Sequence, residues 1–279
     1  MLYFVPTPIG NLADISQRAL SILATCKLIF CEDTRVCKAL LNLLDKKYPS
    51  FSILSTPKRF KALHSHNERE FFANLDREIF TQNVAYLSDA GMPCISDPGV
   101  ALVRFAQENG VAYEVLSGAN AALVAVAASG LCEKEFVFLG FLSPKFKSRQ
   151  SELERALECE FPVILYESPK RILALITEIA KIAPEREIFA IKEISKKFEK
   201  KFKDSAKALE ITLESENLNG EWCVVIAANK AKKSAKKESI CLNKSDIMAL
   251  NISAKDKARL LARLSEASAK QIYKQIQGL

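Results

Sequence analysis

The 279-residue chain is 49% apolar and 26% charged, enough for two domains of ordinary size or one large α/β domain with an appendage. Its longest apolar stretches stop short of the roughly 18 residues of a membrane span, and no charged start with an apolar middle marks a signal peptide, so the expected location is the cytoplasm. The net charge of +7 is uneven: residues 230–279 hold 12 Lys or Arg against 4 Asp or Glu, the remainder 28 against 29, and a basic appendage of this kind suits a polyanion or simply solubility.

Apolar runs rich in Val, Ile, Phe and Tyr alternate with helical periodicity, which predicts parallel strands joined by crossover helices. Leu2–Pro6 reads as the first strand. Its loop, Thr7-Pro8-Ile-Gly10-Asn11-Leu12, leads to Asp14-Ile-Ser-Gln17, a capping box for a helix through Leu23. Lys27–Cys31 is the second strand, ending on Glu32-Asp33-Thr34-Arg35 before a helix to about Leu44. A short strand over Ser52–Ser55 precedes a polar segment and a helix ending near Phe80. No G-x-G-x-x-G follows the first strand, so the usual dinucleotide fingerprint is absent.

Val84–Leu87 is the next strand, and the loop Ser88–Gly99 that follows it is the stretch around which the chain is organised. Small residues at Ser88, Ala90 and Gly91 let a ligand approach the backbone, and in open α/β sheets ligands bind beyond the carboxyl ends of strands. Asp97 as N-cap, Pro98 in the first turn and Gly110 after the last predict a helix over 100–109. Ala112–Leu116 completes a first domain, 1–116. The loop Ser117-Gly118-Ala119-Asn120, a small-residue helix over 121–129 and strands at 136–140, 163–166, 188–191 and 222–227 make a second, 117–229. Ser168 and Pro169 suit the start of a helix through Ala183, and a further helix lies near 205–214. A cleft at the junction near Ser117 is the natural ligand site.

Lys230–Lys237, with few apolar residues, opens a basic linker over 230–238. The tail, 239–279, reads as helix-turn-helix, with helices over 256–264 and 267–276 and Leu260, Leu261 and Leu264 on one side of the first. The eight cysteines form no Cys-x-x-Cys pair, and His64 and His66 have no cysteine pair at zinc spacing beside them, so the thiols are expected reduced and no metal is expected.

Several pieces, in order and over nearly the whole chain, carry a family resemblance. They are Val5-Pro-Thr-Pro8-Ile-Gly10-Asn11-Leu12, Cys31-Glu-Asp-Thr-Arg35, His66-Asn-Glu-Arg69, Ser88-Asp-Ala-Gly-Met-Pro-Cys-Ile-Ser-Asp-Pro-Gly99, Phe138-Leu-Gly-Phe-Leu142, Tyr166-Glu-Ser-Pro-Lys-Arg171, Lys192-Glu-Ile-Ser-Lys-Lys-Phe-Glu199 and Gly220-Glu221. The chain resembles the tetrapyrrole methylase superfamily and, within it, the bacterial cytidine ribose 2′-O-methyltransferases of small-subunit ribosomal RNA. One departure is the loop Ser117-Gly118-Ala119-Asn120, where many relatives carry Pro-Gly-Pro-Ser; Gly118 is retained and both prolines are lost.

The resemblance implies two α/β domains of the class III methyltransferase type with a short helical C-terminal extension, S-adenosylmethionine as methyl donor in the cleft, ribosomal RNA or the 30S subunit as partner, and a homodimer. Donor contacts are expected from Pro8, Gly10, Ser88, Asp89, Ala90, Gly91, Gly118, Ala119 and Tyr166. A ribose hydroxyl must lose a proton, so a base is needed; strand ends offer Glu32, Asp33, Glu167, Lys192 and Glu193, with Glu167 or Glu193 preferred and Lys192 beside them. Arg18, Arg35, Lys145, Lys170 and Arg171 flank the expected cleft mouth as RNA contacts, and Lys196, Lys197, Lys200 and Lys201 form either a further basic contact or a solvated face. A tetrapyrrole C-methyltransferase and a non-catalytic RNA-binding assembly factor are the alternative functions.

Overall fold

The computed structural model describes residues 1–229, 244–263 and 268–277. Residues 1–230 form one compact unit and 231–279 a second.

The first unit contains two five-stranded sheets. β1 (Leu2–Val5), β2 (Leu28–Cys31), β3 (Arg59–Ala62), β4 (Val84–Leu87) and β5 (Tyr113–Val115) are all parallel, in the order β3-β2-β4-β1-β5. Their carboxyl ends therefore share one edge, and the loops after β1, β2 and β4 meet there. α1 (Gln17–Thr25), α2 (Thr34–Lys47), α3 (Glu68–Ala73) and α4 (Gly99–Glu108) make the crossovers. Strand side chains alternate between two cores. Val5, Ile29, Cys31, Ala85 and Leu87 pack with α1 and α2, whereas Leu2, Phe4, Phe30, Val84 and Tyr86 pack with α3 and α4. Burial on both faces is why β4 is an unbroken apolar run.

The second sheet takes the order β6-β7-β10-β8-β9: β6 (Val137–Phe141), β7 (Val163–Glu167), β8 (Glu187–Lys192), β9 (Lys200–Ser205) and β10 (Trp222–Ile226). Only β6 and β7 pair in parallel, and the pairings of β10 with β7, β10 with β8 and β8 with β9 are antiparallel. The expectation of parallel strands throughout is thus corrected for this half. α6 (Phe146–Glu158), α7 (Ile172–Ile182) and α8 (Ala206–Glu214) supply the core on one face, around Leu153, Ile176 and Leu209. The other face receives α5 (Ala121–Ser129) through Ala122 and Ala125, with Ile9 from the first sheet's loop packed against the same cluster.

Several element boundaries differ from the sequence reading, each for a local reason. The third strand is Arg59–Ala62, because Ser52, left-handed at φ 50°, caps the 3-10 turn Pro49–Phe51 and Ser52–Ser55 is a further turn closed by the Ser55 N–H on the Ser52 carbonyl. α1 is capped by Ser16, whose hydroxyl accepts from the Ala19 N–H, while Asp14 ends a 3-10 turn held by Asn11. The helix expected to end near Phe80 stops at Ala73, and a 3-10 turn capped by Asp76 follows. α4 begins at Gly99, whose N–H donates to Asp97 Oδ1 at 2.8 Å, so Asp97 and Pro98 lie just outside it. Ser168 and Pro169 precede α7, which starts at Ile172; the Ser168 carbonyl accepts from the Arg171 and Ile172 N–H groups.

The second unit is described as three helices, α9 (Lys244–Ala249), α10 (Ala254–Arg263) and α11 (Ala269–Gln277), one more than expected. Its small core is Ile247, Ala258, Leu261 and Ile272. Leu260 is exposed and Leu261 buried, so the inward face of α10 runs through Ala258 and Leu261. The linker 230–238, Leu264 and Ala267 lie outside the described residues. Among the described residues no helix is long and apolar enough to cross a membrane.

Candidate active site

The loop ends gather around a cavity of about 360 Å³ lined from both sheets, within the usual range for small-ligand sites. The first sheet contributes Glu32 from the end of β2 and Ser88, Ala90 and Gly91 from the end of β4. Tyr166 and Glu167 come from the end of β7. The acidic residues of the lining are Glu32, Asp97, Glu167 and Glu221 and its aromatic ones Phe141, Tyr166 and Trp222, with no Lys, Arg or His; the Glu167 carboxylate and the Trp222 ring are themselves buried behind the wall.

Backbone pairing holds the central loop in place. Thr7 and Gly91 exchange N–H to C=O bonds of 3.0 and 3.1 Å, and the Ser88 hydroxyl donates to the Gly91 carbonyl at 3.0 Å. Gly91 sits at φ 81°, a conformation a side chain resists. Gly118 lies against Pro6, where an added Cβ would stand 2.2 Å from the proline Cβ. Asn120 caps α5 by accepting the Leu123 N–H, and the Ala122 N–H donates to the Tyr166 hydroxyl at 3.1 Å, tying the second sheet's helix to the cavity rim. Burial, reinforced by Cys223, pushes the Tyr166 hydroxyl up to about 12, which keeps it protonated.

The expected donor and base residues fall into two groups. Ser88, Ala90, Gly91, Tyr166 and Glu167 line the cavity; Pro8, Gly10, Asp89, Gly118, Ala119, Lys192 and Glu193 do not. Glu167, with its side chain fully buried, is saturated: Oε1 accepts from Arg171 at 2.8 Å and from the Ser168 N–H at 2.7 Å, and Oε2 from Arg149 at 3.2 Å. Lys192 is buried against Glu216 at 3.2 Å and the Asn217 carbonyl, 5.6 Å from the Trp222 ring. Glu193, at φ 54°, accepts from Lys196 and from the Glu221 N–H, both at 2.9 Å. Burial opposes its ionisation, but these partners outweigh that and hold its carboxyl below the usual range.

Glu32 and Asp89 interlock across the rim. The Asp89 N–H donates to Glu32 Oε1 at 3.1 Å, and the Asp33 N–H donates to Asp89 Oδ1 at 3.2 Å. Burial raises both carboxyls above their ordinary values. Asp33 itself is held well below the usual range by the Arg35 guanidinium and caps α2.

Of the expected RNA contacts, Arg18 is paired with Glu114, Arg35 with Asp33 and Arg171 with Glu167. Lys145 and Lys170 are exposed and form no side-chain ion pair among the described residues. In the basic run, Lys196, Lys200 and Lys201 pair with Glu193, Glu216 and Glu199, while Lys197 is exposed over the Phe198 ring. Cavity residues not foreseen from sequence include Ile9, Met92, Ile95, Phe141 and Ile194. Asn120 had a usable signal, an N-cap residue two after a glycine; Phe141 ends β6 and Ile194 follows β8, and neither apolar side chain marks itself as a cavity residue. Among the described residues no cluster of three or more His, Cys, Asp or Glu is placed to hold a metal, and the seven described cysteines are free thiols.

Comparison with known proteins gives these features a family context. The profile described as Tetrapyrrole (Corrin/Porphyrin) Methylases matches residues 1–210. A protein of Campylobacter fetus named ribosomal RNA small subunit methyltransferase I is 53% identical over 99% of each chain. The Helicobacter pylori strain 26695 protein of that name is 39% identical, covering 98% of this chain and 96% of its own, and the Bacillus subtilis protein 34% identical, covering 81% and 74%. Among solved structures, a cobalt precorrin-4 methyltransferase of cobalamin biosynthesis superimposes with a TM-score of 0.56 at 16% identity, covering 81% of this chain and 94% of its own, a likeness of fold alone. The chain therefore belongs to the tetrapyrrole methylase family and, within it, groups with the ribosomal RNA small subunit methyltransferases I.

Proposed function

We propose that this protein is an S-adenosylmethionine-dependent methyltransferase that modifies the 2′-oxygen of a cytidine ribose in small-subunit ribosomal RNA. The observation that carries the donor assignment is the cavity lining, in which Glu32, Asp97 and Glu221 are acidic, Phe141 and Tyr166 are aromatic and no Lys, Arg or His takes part. Such a wall suits a cationic sulfonium, which aromatic faces attract, and disfavours a phosphate-bearing ligand. Apolar Ile9, Met92 and Ile194 provide the contact area a nucleoside needs. The bound donor supplies an electrophilic methyl group.

Everything else falls to the chain, chiefly alignment. The Thr7–Gly91 pairing and the Tyr166 hydroxyl fix the walls, and rigid placement of donor and acceptor is the term that such a transfer needs most. In this reading Ser88, Ala90, Gly91 and Tyr166 contact the donor directly, Asp89 holds its loop against the end of β2, and Pro8, Gly10, Gly118 and Ala119 shape the cleft behind them. Lys145, Lys170 and the basic tail meet phosphates, with Arg18, Arg35 and Arg171 as further contacts at the rim; affinity for RNA then falls with salt. Residues 1–116 and 117–229 act as two domains that close on the donor, a division supported by each sheet's drawing its strands from one side of residue 117. The protein works in the cytoplasm as a homodimer.

The first check is thermal. A ligand that binds only the folded state stabilises it, so S-adenosylmethionine at about 100 times its dissociation constant adds roughly 2.7 kcal/mol and raises the melting temperature by roughly 5–10 °C. An unchanged melting temperature at millimolar donor would remove the donor assignment.

A further inference from the structure

We infer that Glu32 is the general base that takes the proton from the acceptor hydroxyl, an inference that rests on the ribose 2′-O reading above. The geometry distinguishes the four acidic residues of the cavity lining. Glu167 is enclosed by two guanidinium groups and a backbone N–H. Asp97 Oδ1 accepts from both the Tyr86 hydroxyl and the Gly99 N–H, at 2.8 Å each, and so anchors the start of α4. Glu221 is mostly exposed and paired with Lys196 at 3.0 Å. Glu32 differs from all three: its one hydrogen bond among the described residues is the backbone N–H of Asp89 on Oε1, and no cation is paired with it.

Its surroundings favour proton uptake. Burial raises the carboxyl; the Asp89 N–H opposes that, and the charges of Asp89 and Asp97 add to it. The Tyr86 hydroxyl, which also feels the Glu32 charge, is pushed up by burial and stays neutral. A carboxylate raised in this way is a stronger base while still ionised above its own pKa. The Glu32 carboxylate accepts the hydroxyl proton as the oxygen–methyl bond forms. The sulfur–methyl bond breaks in the same step, its electron pair stays on sulfur as a neutral thioether, and the new carboxylic acid releases its proton to water. Activity is therefore lost as pH falls through the Glu32 pKa.

Glu32→Gln isolates this role, because the amide oxygen still accepts the Asp89 N–H. The experiment is single-turnover transfer to unmethylated 30S subunits across a pH series, with donor affinity by calorimetry and RNA affinity by filter binding. The expected result is a loss of about 10²–10⁴-fold in rate with both affinities within about twofold, the wild-type acidic limb missing from the residual rate, and partial recovery in Glu32→Asp. A Gln variant within about threefold of wild type with the acidic limb intact overturns the inference, as does a rate loss matched by lost donor or RNA affinity. Wild type that leaves the ribose unmethylated overturns the functional reading and the inference together; active wild type with an unaffected Gln variant overturns the role of Glu32 alone.

Discussion

Glu167→Gln is expected to lower the melting temperature by roughly 10 °C, the counterpart of the about 3–5 kcal/mol lost when one partner of a buried ion pair is removed. Glu167 is the shared acceptor of Arg149 and Arg171. Arg149 is itself buried, and its Nη2 already has no hydrogen-bond partner. Removing the charge leaves that guanidinium with Glu178 alone, at 3.1 Å on Nε. Below the new melting point the variant should retain most of its single-turnover rate, since both oxygens of the carboxylate are engaged in holding β7 to α6 and the start of α7. Differential scanning fluorimetry alongside the transfer assay separates the two effects. Unchanged stability with a collapsed rate would make Glu167 the base after all.

Gly118→Ala is the second large effect. A Cβ there would meet Pro6 at 2.2 Å to Cβ and 2.7 Å to Cγ, and a proline ring cannot swing aside as a flexible side chain does. The loop must move, and Asn120 and Ala121, which line the cavity, move with it. A displacement of about 1 Å at a positioning loop costs on the order of 10²-fold in rate, with about 1–3 kcal/mol of stability lost to overpacking. Donor titration by calorimetry and kcat/KM measure the two consequences. A variant with wild-type donor affinity and kcat/KM would show that this loop has no part in the site.

The same loop shows why part of the site was legible in the sequence. Gly118 and Gly91 stand where the backbone must lie against a proline ring or adopt positive φ, and glycine after a strand signals that from one sequence. β4 was legible for a related reason: Val84-Ala-Tyr-Leu87 is buried on both faces and carries no polar residue. The charged edge strands β3 and β9 were not. Arg59-Phe-Lys-Ala62 and Lys200-Lys-Phe-Lys-Asp-Ser205 carry the charges that keep a sheet edge soluble, and those charges erase the apolar pattern. The antiparallel β8–β9 hairpin was hidden further, because its turn sets Glu193 and Ser195 at positive φ without a glycine.

The base illustrates the remaining gap. Glu32, Glu167 and Glu193 are equivalent as strand-end acids in the sequence. What separates them is a partner many positions away, Arg149 for Glu167 and Glu221 for Glu193, and the absence of any cation beside Glu32. Long-range pairing of this kind has no local signature. Lys145 and Lys170 became distinguishable from Arg18, Arg35 and Arg171 in the same way, by which charges the fold had already matched.

The central claim is tested most directly by incubating the full chain with methyl-labelled S-adenosylmethionine and purified 30S subunits that lack the modification, then digesting the RNA to nucleosides. Label on the 2′-oxygen of a cytidine is the predicted result. Label on a base atom, or transfer to a tetrapyrrole precursor with none to subunits or free RNA, would contradict it.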